Sequence, residues 1–217
     1  MQSKNQNGFT LVEIAIVLVI VGLLIGGVLK GQEMITNAKL KRIESDNAGL
    51  AAAMYSYQDR YLQLPGDDSA ADTRFSVYGP ADSAIGNGNG TIEGAWDMNT
   101  ATVWNDGTEE TLKFFAHLRA AGLVPGGGKD STRPTNAYGG QIGIQNGSLG
   151  ISGHVTIFGA LEGPIAKIIE ARLDDGDPAT GRIQAGLTGG TNAMAVPGTP
   201  ATAPYDDTKR YDLAFGL

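Results

Sequence analysis

The chain has 217 residues and a formal net charge of −7, from 16 basic and 23 acidic side chains. This length suffices for one globular domain of ordinary size beside a membrane segment. Nucleic-acid binding needs a clustered positive face, and no basic block stands out beyond Lys39, Lys41 and Arg42, so that function is not expected. Because the chain has no cysteine, it forms no disulfide and no thiolate metal site.

The first element is a long apolar segment, residues 9–29, which follows a short polar leader. As a helix it would span roughly 31 Å, about the thickness of a bilayer's hydrocarbon core, so a transmembrane helix is predicted. Glu13 is its only charged residue, and a carboxylate in lipid is costly unless it has a partner. A secretory signal peptide does not fit, because the apolar run is too long and no Ala-x-Ala follows Leu29.

The residues around Glu13 resemble those of a known family. The segment GFTLVE, residues 8–13, followed by an apolar run, is similar to the N-terminus of type IV prepilins, which include type IV pilins and the pseudopilins of type II secretion. The resemblance extends to about Leu62. It implies an α+β pilin fold, in which a long N-terminal transmembrane and amphipathic helix packs on a small C-terminal domain with an antiparallel β-sheet.

The resemblance also implies how the chain is processed and where it acts. A prepilin peptidase would cut between Gly8 and Phe9 and N-methylate Phe9. The mature chain would cross the bacterial inner membrane once, with its N-terminus in the cytoplasm. From there it would enter a helical filament with copies of itself and with other pilins or pseudopilins, through an inner-membrane assembly platform. The filament would be a pilus at the cell surface or a periplasmic pseudopilus.

Glu13 and Thr10 are the residues expected to act in assembly. Cleavage would give Phe9 a free amine, and a neighbouring subunit could place that positive group against Glu13. Removing either charge would leave the other buried and unpaired, so such a pair would set axial register as well as affinity. The alternative is a Glu13 side chain that extends to the cytoplasmic interface and has no other role.

Three glycines interrupt the apolar helix, at Gly22, Gly26 and Gly27. The spacing of Gly22 and Gly26 permits close approach of two helices. Each glycine also weakens a helix by about 1 kcal/mol relative to alanine. Close packing between subunits and local unwinding during assembly therefore both explain them.

Helical periodicity continues beyond the apolar run, to about residue 61. An amphipathic stripe recurs at heptad spacing through Leu40, Ile43, Asn47, Leu50, Met54, Tyr57 and Tyr61. The stripe is expected to pack on the chain's own C-terminal domain, and a coiled coil with a separate partner is the alternative. The predicted organisation is a leader at 1–8, a transmembrane and polymerisation helix at 9–30, its amphipathic half at 31–62 and a globular domain at 63–217.

The globular part is predicted to combine a long loop with two helices. Residues 66–107 are rich in Gly, Asp, Asn and Ser, so we expect a surface loop there rather than core. A helix at 109–119 would be capped by Thr108, with His117 beside its apolar face as a structural residue. A second helix would follow Pro164, with one apolar side formed by Ile165, Ile168, Ile169 and Leu173.

Strand signals predict a small antiparallel sheet. Residues 141–144 and 151–158 partly alternate apolar and polar side chains and flank Asn146-Gly147, which favours a hairpin with its turn there. Shorter strands are expected at 182–185 and 211–215. Residues 192–204 are predicted as a loop, because they are small and rich in proline.

Two segments carry oxygen ligands of the kind that calcium prefers. In NGNGTIE, residues 87–93, two asparagines fall on ligand positions of a calcium loop, but Ile85 and Trp96 stand where its acids should be. The better oxygen cluster is formed by Asp174, Asp175 and Asp177. A bound calcium ion and a tight turn both explain that cluster, and no other cofactor is expected.

No constellation for catalysis stands out. The segment GISG around Ser152 is not a nucleophile elbow, which needs Gly-x-Ser-x-Gly. The two histidines, His117 and His154, lack metal-ligand spacing. The sequence therefore predicts a non-enzymatic protein, and the resemblance to prepilins implies a structural subunit of a type IV pilus. A type II secretion pseudopilin is the alternative within the family, and a singly anchored periplasmic binding or enzymatic domain is the rival from another class.

Overall fold

The computed structural model describes residues 10–79, 84–96, 109–188 and 204–217. The described helices are α1 (Leu11–Tyr61), α2 (Ala71–Arg74), α3 (Glu110–Ala120) and α4 (Gly163–Leu173). The described strands are β1 (Ile142–Ser148), β2 (Ile151–Glu162), β3 (Ile183–Leu187) and β4 (Arg210–Gly216). This combination confirms the predicted α+β class, a long N-terminal helix with a small antiparallel sheet. Contacts divide the chain into two compact units, 1–41 and 42–217.

In the first unit, α1 carries apolar side chains on every side from Leu11 to Leu29, and Glu13 is the one charged residue of this stretch. The large apolar side chains of this stretch are between 43% (Val21) and 90% (Leu11) exposed. A helix that is apolar all round is typical of a membrane span. Within the described residues, α1 is the helix long and apolar enough to cross a bilayer.

In the second unit, the part of α1 beyond Lys41 presents one apolar face to the domain. The buried apolar residues of this face include Ile43, Leu50, Met54 and Tyr57. Asn47 interrupts the face, and its side-chain oxygen accepts a hydrogen bond from the Thr156 hydroxyl in β2. The hydrogen bond from Thr156 therefore connects the helix to the sheet, and the stripe from Ile43 onward packs on the chain's own domain, as predicted.

The sheet has four antiparallel strands in the order β1-β2-β4-β3. The two interior strands pair Phe158 of β2 with Leu213 of β4, and Leu213 in turn pairs with Ala185 of β3. The β2–β4 register shifts near Ala160, which has a positive φ of 58° and donates its N–H to the Asp212 carboxylate at 2.7 Å. A side chain thus satisfies the backbone group that this bulge removes from the ladder.

The β1–β2 hairpin forms as predicted, but the turn predicted at Asn146-Gly147 is wrong. Both residues lie within β1, and the turn residues are Leu149 and Gly150, with φ of 52° and 91°. Leu149 is fully buried and packs against Gly186, where an added Cβ would lie 2.7 Å from the leucine side chain. Burial of Leu149 therefore outweighs the usual preference for Asn-Gly in a hairpin turn.

The segment that follows α1 contributes to the core, which corrects the prediction of a surface loop at 66–107. Its buried residues in the described part include Asp67, Asp68, Tyr78, Ile92 and Trp96. Trp96 covers Gly143 and Gly159, where an added Cβ would come within 2.7 Å of the indole. The segment lacks a periodic apolar pattern because paired polar groups make up part of what it buries.

The later helices and strands form close to their predicted positions. In α4, which begins at Gly163, the buried residues include Ile165, Ala166, Ile169 and Glu170. Ile168 and Leu173 are instead 39% and 46% exposed, so the predicted buried face of α4 is wrong in these two residues. Glu109 holds the N-cap position of α3, while Thr108, its predicted cap, and residues 192–203 lie outside the described residues.

Candidate functional site at the start of the long helix

Thr10 and Glu13 lie together at the N-terminus of α1. The Thr10 N–H and the Thr10 hydroxyl each donate a hydrogen bond to Glu13 Oε2 at 2.8 Å. The Glu13 N–H in turn donates to the Thr10 hydroxyl oxygen at 3.2 Å. This reciprocal pattern is a capping box, which satisfies N–H groups that the first turn of a helix leaves unpaired.

The capping box gives Glu13 a role inside the subunit that the sequence analysis did not anticipate. The available signal was the Thr-x-x-Glu spacing of Thr10 and Glu13 directly before an apolar run. The hydrogen bonds use one carboxylate oxygen, Oε2, and leave Oε1 outside the box. The carboxylate also lies where the helix dipole favours negative charge.

The three glycines of the apolar helix have open space around them in the subunit. A Cβ added at Gly22, Gly26 or Gly27 would meet no other heavy atom within 4 Å. Packing inside the subunit therefore does not explain these glycines, although each weakens the helix by about 1 kcal/mol. Gly8 and Phe9, the predicted cleavage and methylation residues, lie outside the described residues.

The calcium-like segment at residues 87–93 surrounds an acid of the chain itself. The N–H groups of Gly88, Asn89 and Gly90 donate to the Asp67 carboxylate at 2.6, 3.1 and 2.7 Å. Gly88 and Gly90 have positive φ values of 73° and 85°, which turn neighbouring N–H groups inward and form an anion-binding nest. Converging N–H groups attract an anion and repel a cation, so this loop does not fit calcium.

Three acids near the end of α4 form a different cluster. One oxygen each of Glu170, Asp174 and Asp175 lie within 4.8 Å of one another. Glu170 Oε2 accepts a hydrogen bond from the Tyr205 hydroxyl at 2.9 Å, whereas Oε1 has no hydrogen-bond partner among the described residues. Burial, together with the charges of the neighbouring acids, raises the pKa of Glu170 to about 8.

The predicted ligand Asp177 is not one of the three clustered acids, and the sequence analysis missed Glu170. The Asp177 N–H donates to Asp175 Oδ1 at 2.9 Å, and its own Oδ1 accepts the N–H of Ala179 at 3.0 Å. Asp177 therefore shapes the turn that carries Asp175. Calcium at Asp174, Asp175 and Asp177 stays a prediction, and Glu170 is added to the candidate ligands.

A buried polar network joins the end of α1 to the segment after it. The Tyr57 hydroxyl donates to Asp68 Oδ2 at 2.7 Å, and the Arg74 guanidinium donates to both Asp68 oxygens at 2.9 and 3.2 Å. Burial alone would raise the pKa of Asp68, but the hydrogen bonds from Arg74 and Tyr57 lower it below its ordinary value. Asp68 is therefore a paired, charged group at neutral pH.

His117 of α3 lies beside this network as a neutral ring. Its Nδ1 accepts the Gly66 N–H at 2.9 Å, so the proton is assigned to Nε2, which donates to the Ala84 carbonyl at 2.7 Å. Burial lowers the pKa of His117 to about 4. Both ring nitrogens are thus used in holding the fold, which agrees with the structural role predicted for this histidine.

The comparison with known protein families concerns the N-terminus. A family model described as the prokaryotic N-terminal methylation motif matches residues 3–29. This motif is the signature of prepilin-like proteins, the class of type IV pilins and pseudopilins, so residues 3–29 are similar to the N-terminus of that class, as the segment GFTLVE indicates. That class is a structural group and is generally non-enzymatic. No curated protein and no solved structure matches the chain.

Proposed function

We propose that this protein is a structural subunit of a type IV pilus, polymerised through α1. The observation that carries the proposal is the exposed apolar surface of residues 11–29 in the single subunit. Burying apolar surface is worth roughly 25 cal/mol per Å². Exposure of apolar side chains along all of residues 11–29 to water is therefore unfavourable, and lipid or protein must cover them. Lipid would cover them before assembly, and the same helices of neighbouring subunits would cover them in the filament.

The proposed pathway begins at the inner membrane. The chain would span the bilayer once, with its N-terminus in the cytoplasm, and prepilin peptidase would cut it after Gly8 and methylate Phe9. An assembly platform would then move the mature subunit into a filament with copies of itself and other pilins. The match to the methylation motif at residues 3–29 supports these steps.

Glu13 is proposed to set the register between subunits. A carboxylate in lipid costs about 2.5–3.5 kcal/mol at a helix centre on insertion scales and less near the interface, and a good helix cap recovers only about 1 kcal/mol. The capping box occupies Oε2, so Oε1 can meet the methylated amine of Phe9 in a neighbouring subunit. In an apolar filament core, each of these two charges would need the other.

Two variants separate the charge of Glu13 from its capping role. Glu13→Gln keeps the capping-box geometry and removes the charge, whereas Thr10→Val keeps the charge and removes the capping hydroxyl. We expect Glu13→Gln to be cleaved normally but to form no filaments. Thr10→Val should form filaments, with the helix start weakened by about 1 kcal/mol.

Electron microscopy of sheared fractions and intact-mass analysis of the membrane fraction measure these two outcomes. Glu13→Ala, which loses both the charge and the cap, should behave like Glu13→Gln. Filaments from Glu13→Gln together with none from Thr10→Val would show that assembly depends on the cap and not on the charge.

The alternative within the same class is a type II secretion pseudopilin, which would form a periplasmic pseudopilus for protein export. Intact-mass and N-terminal analysis of protein sheared from native cells separates the two. A chain beginning at N-methylated Phe9 in the sheared fraction supports the pilus. The same chain confined to the membrane fraction supports the pseudopilin or a minor subunit, and a chain still beginning at Met1 contradicts processing altogether.

A further inference from the structure

A small pocket opens in the second unit between α1, the end of α4 and two strands of the sheet. Its volume is about 160 Å³, and its lining residues are Asn47, Leu173, Arg182, Ile183, Phe215 and Gly216. An apolar protein cavity of about 150 Å³ holds a molecule of the size of benzene. The pocket therefore has room for a group of about six non-hydrogen atoms.

The polar side chains that line this pocket are hydrogen-bond donors. Arg182 carries a guanidinium, which forms no ion pair or hydrogen bond among the described residues. Asn47 Oδ1 accepts the Thr156 hydroxyl, so the Nδ2 group of this amide is left to donate elsewhere. None of the described residues that line the pocket is acidic. The pocket thus combines one positive charge with several donors, an arrangement that attracts an anion.

The remaining walls of the pocket are apolar. Ile183 of β3 pairs with Phe215 of β4, so the two side chains lie on the same face of the sheet. Leu173, the last residue of α4, completes the apolar wall and is 46% exposed. A ligand with an apolar part would cover this leucine, which the subunit itself leaves half open to water.

We propose that this pocket binds a carboxylate that is attached to a short apolar chain of about four carbons. The planar guanidinium of Arg182 matches a carboxylate, because two parallel N–H groups can donate to its two oxygens. The Nδ2 group of Asn47 supplies a further donor, and the apolar chain fits against Leu173, Ile183 and Phe215. Inorganic phosphate would match the donors but would leave the apolar wall uncovered.

Contacts among the residues around the pocket hold it in shape before any ligand binds. The Arg182 carbonyl accepts the Gly216 N–H at 2.8 Å, which joins the start of β3 to the end of β4. The Phe215 ring packs edge-on against Phe158 of β2, with 5.2 Å between their centroids. Because the walls are already positioned, binding loses less conformational entropy.

Two sources can supply this chemistry. One is a small carboxylic acid that is free in solution, and the other is a glutamate side chain of a second copy of this chain. A second copy is strongly acidic, with a formal net charge of −7, so its surface complements the charge of Arg182. The pocket does not depend on the filament function proposed above.

Titration of the full chain in detergent with sodium butyrate tests the pocket, with NMR of isotope-labelled leucine and isoleucine methyl groups as the readout. We expect saturable shifts of the Leu173 and Ile183 methyl signals, with a dissociation constant of about 1 mM, as suits a ligand of few atoms. Butanamide, which has the size of butyrate without its charge, should bind roughly tenfold more weakly. Sodium chloride at equal concentration controls for ionic strength.

Two variants assign the binding to the polar side chains of the pocket. Arg182→Gln removes the positive charge and should weaken butyrate binding roughly tenfold. Asn47→Asp keeps an acceptor for the Thr156 hydroxyl but brings a negative charge to the pocket, so it should weaken binding by a similar factor. Arg210→Gln is the matched control, because this arginine side chain is 58% exposed and does not line the pocket.

Melting temperatures close to that of the wild type check that the variants fold. The site would be overturned by the absence of saturable shifts in the wild type, by equal binding of butanamide and butyrate, or by wild-type affinity in Arg182→Gln. Dilution without butyrate then separates the two sources. If a second copy supplies the carboxylate, the same methyl signals shift with protein concentration, and Arg182→Gln abolishes that dependence. If a free acid is the ligand, the signals respond to butyrate alone.

Discussion

The two units of the chain differ in whether the subunit itself provides partners for the groups that are energetically costly to leave uncovered or unpaired. Residues 11–29 of α1 leave large apolar side chains exposed. In the second unit, Asp68, Arg74 and His117 make their hydrogen bonds within the subunit. This difference indicates that the apolar side chains of the first unit are covered by other molecules, whereas the polar groups of the buried network are already hydrogen-bonded within the subunit. Substitutions in the first should change assembly, and substitutions in the second should change subunit stability.

Asp68→Asn should produce the largest change in the free energy of unfolding. The amide removes the charge that Arg74 and Tyr57 bind, and breaking a buried ion pair costs about 3–5 kcal/mol. Because the Arg74 side chain is 27% exposed, we expect the lower end, about 3 kcal/mol. Equilibrium chemical unfolding of the full chain in detergent measures this loss.

Asp72→Asn on α2 is the control, because it removes an exposed acid next to the same network. Its free energy of unfolding should stay within about 0.5 kcal/mol of the wild type. If Asp68→Asn abolished filaments while leaving the unfolding free energy unchanged, the contrast between the two units would fail.

His117 should make the stability of the second unit depend on pH. Its pKa of about 4 in the folded chain lies below the ordinary value of 6.5, so between these values the folded state binds fewer protons than the unfolded state. Stability therefore falls as pH is lowered from 6.5 through 4, by up to about 3 kcal/mol. Charges on Asp68, Lys113 and Arg74 also act on this ring, but burial is the main cause.

The measurement compares the wild type with His117→Asn between pH 7 and pH 4. Burial raises the pKa of Glu110 to about 6, which gives a pH dependence of opposite sign in an overlapping range. The readout is therefore the difference in unfolding free energy between the two proteins, which should shrink by about 3 kcal/mol toward pH 4. A constant difference would show that protonation of His117 does not oppose folding.

Substitutions of Gly26 should have the smallest effect on the subunit. Gly26→Ala has open space for its methyl group and should stabilise the helix by about 1 kcal/mol. If the glycine serves unwinding, Gly26→Ala should impair filament formation because it stiffens the helix. If it serves close packing, alanine should be tolerated and Gly26→Leu should not.

Filament counts by electron microscopy and chemical unfolding of the purified chain separate these alternatives. Both alternatives leave the unfolding free energy of the second unit unchanged. A clear loss of that free energy in Gly26→Ala would contradict the division of roles between the two units.

Local sequence patterns predicted the structural elements that are determined by residues close together in the chain. The stripe through Ile43, Leu50 and Tyr57 repeats long enough to specify α1, and the segment GFTLVE indicated the class that the methylation motif bears out. The Thr10–Glu13 capping box was equally readable, because its three-residue spacing needs no tertiary information.

Features that depend on distant contacts could not be predicted in the same way. Periodicity grouped Leu173 with the apolar side of α4, but Leu173 is 46% exposed, whereas Glu170 is buried and hydrogen-bonds to Tyr205, 35 residues further along the chain. The hairpin turn moved to Leu149 because Gly186 of another strand leaves room for that side chain. Both outcomes are set by tertiary packing, which overrides local preference.

The capping box also limits how far the mature terminus can reach. With the proposed cut after Gly8, Phe9 alone would separate the new amine from Thr10, where α1 is capped. One residue spans about 3.8 Å between Cα atoms, so the amine would sit on a tether barely longer than a hydrogen bond. The terminus would therefore hold its amine at a nearly fixed distance from the start of α1. One residue inserted after the cut would displace the amine by about 3.8 Å, more than a hydrogen bond tolerates.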